Sequence, residues 1–183
     1  MTHIMVDLET LSIQPTARIL SIGAVKFDAE RSIYDEYYQV VTPPVLEPLM
    51  QSHIDDDGFH ISNDTLHWWS NQSTEARKVF IDPEAVSINE ALITFSIWAL
   101  RDDLIEDIRL WGNGASFDNV ILSEAYRLQN LNQPWKFWND RCYRTMKAMN
   151  PNVRFVRSGT HHNALDDAES QAQHLLRMLV PLT

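Results

Sequence analysis

Ile4-Met5-Val6-Asp7-Leu8-Glu9-Thr10 is the stretch from which the fold can be read. Its residues alternate. Ile4, Val6 and Leu8 would face one side of a strand, and Met5, Asp7 and Glu9 the other. Two carboxylates on one face of a strand that otherwise looks buried are costly unless a positive charge lies between them. A divalent cation is the usual remedy, and Mg²⁺ prefers carboxylate oxygens, waters and substrate phosphates. Taken alone, the same D-x-E spacing also suits a solvated edge strand, so the rest of the chain has to decide.

Outward from this stretch the chain reads as a meander. Strand 1 covers Ile4 to Glu9, and Leu11 to Arg18 is a loop containing Pro15. Ile19 to Phe27 is almost wholly apolar and reads as a central strand covered on both faces. A turn over Asp28–Ser32 leads to a third strand, Tyr34 to Val41, rich in aromatic and β-branched residues. Pro43 to His60 is a long irregular connection with Pro48, Gly58 and the acid run Asp55-Asp56-Asp57, read as a solvated loop. A short helix over Thr65–Asn71 carries Trp68 and Trp69. Neighbours on a helix point about 100° apart, so one belongs to the core and the other is free to stack on a base.

Ser87-Ile88-Asn89-Glu90 is a capping-box pattern before an apolar helical stripe. Ile108–Trp111 reads as a fourth strand, broken by Gly112-Asn113-Gly114, and Phe117–Leu128 as a helix. A fifth strand is expected within Trp135–Arg141, then a helix over Thr145–Met149 that stops before Pro151. Asn163 is the expected N-cap of a last helix, Ala164–Leu179. The order predicts a mixed α/β sheet of five strands covered by helices, in one domain spanning residues 1–183.

Bulk composition narrows the function. Hydrophobic residues make up 44% of 183, which suits a packed core. The net charge of −10 argues against coating nucleic acid by charge alone, but not against holding a short strand through cations. No apolar run is long enough to span a bilayer, and no signal peptide opens the chain. The single cysteine, Cys142, excludes an internal disulfide; a small buried side chain and a cytoplasmic protein are expected.

Acidic residues from separate segments can converge on this sheet. Asp7 and Glu9 end strand 1, Asp118 lies just past strand 4, and Asp167 lies in the first turns of the last helix. Ligands in open α/β sheets collect outside such strand ends. Carboxylates gathered in this way suit a pair of Mg²⁺ or Mn²⁺ ions. Asp166, beside Asp167, reads as a favourable charge at the helix start. His162, five residues before Asp167, would stand about 140° away on a helix and is therefore placed in the loop. With a pKa near neutrality it is able to accept a proton. His161 is expected to point the opposite way. The basic residues Arg141, Arg144, Lys147, Arg154 and Arg157 lead up to His162 with no acid between them, and read as contacts to phosphates upstream of a cut.

Asp7-Leu8-Glu9-Thr10, Asn113 through Phe117-Asp118 with Leu122, and His162-Asn163-Ala164-Leu165-Asp166-Asp167 together resemble the three exonuclease motifs of the DnaQ-like, DEDDh family. Those motifs run D-x-E-T, N-x-x-x-F-D-x-x-x-L and H-x-A-x-x-D. Ile22-Gly23-Ala24-Val25 resembles the family's second strand. Thr65-Leu66 with Trp68-Trp69, and Leu110 through Gly114, look most like the phage-type exonucleases and bacterial exoribonucleases within the family.

The resemblance implies a ribonuclease H-like fold and 3′→5′ release of nucleoside 5′-monophosphates from single-stranded or overhanging 3′ ends of DNA or RNA. By motif position, Asp7 would bridge two divalent cations. Glu9 and Asp167 would serve the cation beside the attacking water, Asp118 would serve the second, and His162 would be the general base. Asn113 and Phe117 would shape the site. The chain departs from the family in having Leu11-Ser12-Ile13 where a glycine often follows the first motif; backbone amides near Thr10 and Leu11 are expected to meet the terminal sugar. A homodimer is expected by analogy. Two other readings fit the same residues: a non-catalytic nucleic-acid-binding module, and a phosphodiesterase for very short oligonucleotides.

Overall fold

The computed structural model describes residues 1–44 and 51–179. β1 (Thr2–Thr10), β2 (Ile19–Asp28) and β3 (Ser32–Val40) form the expected antiparallel meander. Pro48, in the long connection, lies outside the described residues. A two-residue hairpin, β4 (His53–Ile54) and β5 (His60–Ile61), leads into α1 (Asn63–Ser70). Then come α2 (Ile88–Leu100), β6 (Ile108–Gly112), α3 (Asp118–Leu128), β7 (Asp140–Cys142), α4 (Tyr143–Met149) and α5 (Ala164–Leu179). The five-stranded sheet runs β3-β2-β1-β6-β7, with β6 parallel to β1 and β7 parallel to β6.

The period-2 pattern of β1 sets the two layers. Ile4, Val6 and Leu8 join Ile22 and Ala24 of β2 under Leu92 and Phe95 of α2 and Leu122 of α3. Met5 joins Val25 and Phe27 on the opposite face, against Ala168, Ala172 and Leu175 of α5. Asp7 and Glu9 share the parity of Met5, so they face the α5 side. A third cluster, with Leu11, Leu20, Ile61 and Trp69, anchors α1 beyond the end of β1. Each large side chain buried in this way contributes about 1.5–3 kcal/mol.

Two glycines bring helices onto the sheet at the site. A Cβ on Gly23 would stand 2.1 Å from the carbonyl carbon of Ala164, so only glycine lets the first turn of α5 rest on β2. A Cβ on Gly112 would stand 2.3 Å from Asn119 Oδ1, and Gly112 thereby admits the start of α3. The N-caps are built as their side chains suggest. Asn163 Oδ1 accepts the amides of Leu165 (3.0 Å) and Asp166 (3.1 Å), and Ser87 Oγ accepts that of Glu90 (3.2 Å).

Some boundaries differ from expectation. The fifth strand is not Trp135–Arg141 but the three residues Asp140–Cys142, preceded by a 3₁₀ turn over Phe137–Asn139. Trp135 is core, and its indole N–H donates to Asp140 Oδ1 at 3.0 Å, which spends that stretch on packing before the strand begins. α1 starts at Asn63 because Ser62 caps it, its Oγ accepting from the Thr65 amide. α4 starts at Tyr143, before Thr145. The acid run is not merely solvated. Arg18 is buried, and its Nη1 pairs with Asp55 (3.2 Å) and Asp57 (2.8 Å), while Asp55 Oδ1 accepts the Phe59 amide at 2.8 Å. A buried guanidinium needs such partners.

Candidate active site

Asp7, Glu9, Asp118 and Asp167 are brought together at one end of the sheet. β1 supplies Asp7 and Glu9, the first residue of α3 supplies Asp118, and the first turn of α5 supplies Asp167. Carboxylate oxygens of Asp7, Glu9 and Asp167 lie within 4.8 Å of one another. Asp118 lines the same cleft of about 230 Å³, together with Asn113, Phe117, Arg144 and Arg157. Glu9, Asp118 and Asp167 are buried.

Crowded buried charge shows in the titrations. Burial, then Asp118 and Glu9, push Asp7 well above the usual carboxylate range. Burial and Asp118 raise Glu9 to about 8. Burial raises Asp118 to about 7, although the backbone amides of Leu8, Asp118 and Asn113 pull it back. Acids held this way favour protons unless a cation replaces them. The donor set is all oxygen, and among the described residues the buried Asp167 Oδ1 meets only the Arg157 guanidinium. These are the properties of a site for hard divalent cations.

His162 sits in the loop before α5, with φ 64°. Its amide donates to Asp167 Oδ2 at 3.2 Å, and its Nδ1 lies 3.9 Å from Glu9 Oε1. Asp166 is structural, accepting the Thr160 amide at 2.5 Å and so fixing the loop. His161 does not point away, contrary to expectation. Its ring stacks on His162 with centroids 3.8 Å apart, and both line the cleft. Burial lowers the pKa of each, with Arg157 adding to the effect on both and His161 adding to that on His162.

A second groove, of about 440 Å³, adjoins the cleft at Leu8, Glu9 and Phe117 and is walled by Thr10, Ile13 and Trp68. The tryptophans divide as their spacing requires. Trp69 is core and donates its indole N–H to Thr10 O at 2.9 Å, whereas Trp68 is 41% exposed and meets the His162 ring edge-on at 4.8 Å. Leu11 does not offer its amide, which donates to Arg18 O at 2.8 Å while the side chain is core. The Thr10 hydroxyl donates to Ser12 O at 2.7 Å, and Ser12 Oγ meets His60 Nδ1 at 2.7 Å.

The basic residues divide as well. Arg144 and Arg157 line the cleft; Arg144 donates to Asn113 O at 2.8 Å and Arg157 pairs with Asp167. Arg141 lies outside it, donating to the carbonyls of Trp138 in the 3₁₀ turn and of Asp140 on the edge strand. Lys147 stands over the Phe155 ring, and Arg154 O accepts from Arg177. Cys142 is half-buried rather than fully buried. Sequence reasoning missed Gln171, whose Nε2 donates to Asp7 Oδ1 at 2.8 Å. Its signal was available: Gln171 follows Asp167 by one helical turn and shares its face.

A family model described as a 3′-5′ exoribonuclease Rv2179c-like domain matches residues 2–179. The chain belongs to this family. It is a DnaQ-like exonuclease, and both its exonuclease function and its ribonuclease H-like fold follow the expectation. An exodeoxyribonuclease of Enterobacteria phage T4 is 26% identical over 162 residues, covering 79% of this chain and 70% of the relative. The nuclease domain of 3′hExo, a DEDDh family member bound to rAMP, superposes with a TM-score of 0.63 at 18% identity, covering 97% of this chain and 91% of that one. E. coli Exonuclease I in complex with a dT13 oligonucleotide gives 0.64 at 13% identity, covering 96% of this chain and 40% of the other. Nothing in these likenesses supports a homodimer. No helix among the described residues is long and apolar enough to cross a membrane.

Proposed function

We propose that this protein removes nucleoside 5′-monophosphates from single-stranded or overhanging 3′ ends with two divalent cations, Mg²⁺ or Mn²⁺, and His162 as general base. One observation carries the reading: the carboxylate oxygens of Asp7, Glu9 and Asp167 cluster within 4.8 Å beside a groove walled by Trp68. Asp7 would be the shared ligand, Glu9 and Asp167 would hold one cation with it, and Asp118 would serve the other. When bound, the cations polarise the attacking water and stabilise the departing 3′-oxygen. His162 faces the same cleft with a pKa held below its ordinary value, so it is neutral at pH 7 and ready to accept the proton of that water.

The terminal nucleotide fits the adjoining groove, with its base against Trp68 and Phe117. Trp68 offers an exposed ring edge-on to His162, so a stacked base also covers the catalytic histidine. The sugar meets the Thr10 and Ser12 side of the groove rather than the Leu11 amide. Arg144 and Arg157 hold the next phosphates, and Arg141, outside the cleft, takes no part. All of these residues come from one domain.

The family description names RNA and the phage relative acts on DNA, so the test presents both. Single strands of identical sequence, 5′-labelled, are incubated with wild type and Asp7→Ala in Mg²⁺, Mn²⁺ or EDTA. A cation-dependent ladder shortening from the 3′ end, absent in the variant, is expected. Undiminished cleavage by Asp7→Ala would remove the two-cation assignment.

A further inference from the structure

Arg157 holds the acid that a cation would need. Its guanidinium Nη1 lies against the buried Asp167 Oδ1, which has no other partner among the described residues. The pair is lopsided: the Asp167 side chain is 8% exposed and that of Arg157 37%. A buried carboxylate stripped of its cation is expensive, whereas a half-exposed guanidinium leaves with little penalty. Asp167 therefore requires a positive partner, but that partner is exchangeable.

We propose that Arg157 is a built-in counter-ion of the carboxylate cluster, which a divalent cation must displace from Asp167 and which, once displaced, clamps a phosphate of the bound strand. This rests on the reading of Asp167 as a cation ligand.

The loop is constructed for a change of side chain rather than of backbone. The Ser158 amide donates to Ser170 Oγ at 3.0 Å, and the Thr160 amide to Asp166 Oδ2 at 2.5 Å. Phe155 packs its ring 5.3 Å from that of His174 on α5. Both flanks of Arg157 are thus tied to α5, while its own side chain projects into the cleft. Arg144, the neighbouring cation, is held on Asn113 O and does not compete for Asp167.

The displaced guanidinium remains within the cleft where the substrate backbone runs, and its fork geometry suits phosphate. Cation binding then frees the residue that binds the strand, so the two ligands favour each other. A lysine would neutralise Asp167 but present a point charge in place of the fork.

Mn²⁺ titration calorimetry without nucleic acid tests this on wild type, Arg157→Gln, Arg157→Lys and Asp167→Asn, with melting curves confirming that each is folded. Removing the competing cation should tighten Mn²⁺ binding by about fivefold in Arg157→Gln, with Arg157→Lys between it and wild type. Strand binding, measured with a phosphorothioate oligonucleotide, should rise with Mn²⁺ in wild type and much less in Arg157→Gln. Equal or weaker Mn²⁺ binding by Arg157→Gln overturns the proposal. Asp167→Asn should lose Mn²⁺ binding; if it binds as wild type does, the reading of Asp167 as a ligand fails, and the role of Arg157 with it.

Discussion

Gln171 donates its side-chain amide to Asp7 Oδ1 at 2.8 Å, from the same face of α5 that carries Asp167. Among the described residues its own Oε1 is buried without a partner. An unpaired buried carbonyl costs about 1–3 kcal/mol, which an apolar residue at this position would avoid. Gln171 therefore orients Asp7 at some expense to the fold.

Gln171→Met should separate these effects. The melting temperature is expected to hold or rise, while turnover falls by about 10–100-fold, as for other groups that orient a cation ligand. A parallel loss of stability and activity would make Gln171 merely structural.

The adjacent tryptophans should respond in opposite ways. Trp68→Ala removes an exposed groove wall and is expected to raise KM, with the melting temperature nearly unchanged. The lost base contact is on the order of 1–3 kcal/mol. Trp69→Ala opens a core site and breaks the bond to Thr10 O. It should cost about 3–5 kcal/mol in stability, read by denaturant unfolding. An equal loss of stability in both variants would contradict the division.

The two histidines touch, so a matched pair of variants is informative. His162→Ala should lower kcat by about 10²–10⁴, while His161→Ala lowers it less than about tenfold. The base must be neutral, so the acidic limb of the kcat profile should rise through a pKa below 6.5 and disappear in His162→Ala. Equal losses in the two variants would transfer the role to His161 or to the pair.

Much of the gathering of these side chains was legible because it rests on local spacing. Asp7 and Glu9 lie two apart on a strand, His162 and Asp167 straddle a helix cap, and each relation is local. The meander was equally legible, since the apolar run of β2 has few alternatives. The unread parts are long-range. Nothing near Ser12 announces His60, nor does anything near Arg18 announce Asp55 and Asp57. The direction of His161 failed for a similar reason: positive φ at His162 turns the loop so that both rings stack. Leu11 misled because its amide is committed to Arg18, across a loop whose closure only the folded chain reveals.

Stability of the chelated protein should depend on pH in a direction opposite to the usual carboxylate rule. Folding raises Glu9 from its ordinary 4.5 to about 8, and Asp118 from 3.8 to about 7. The folded state thus holds more protons than the unfolded state between these limits, and stability falls as pH rises through them. In EDTA the melting temperature should be higher at pH 5 than at pH 8, by on the order of 5 °C. Mg²⁺ or Mn²⁺, binding only the folded form, should raise the value at pH 8 far more than at pH 5, where protons compete for the same oxygens. Asp7→Asn removes a further carboxyl whose pKa burial raises, and should flatten the EDTA profile. Differential scanning calorimetry at the two pH values, with and without cation, reads all of this. A chelated protein more stable at pH 8 than at pH 5 would mean that burial does not favour the protonated carboxyls in the folded state.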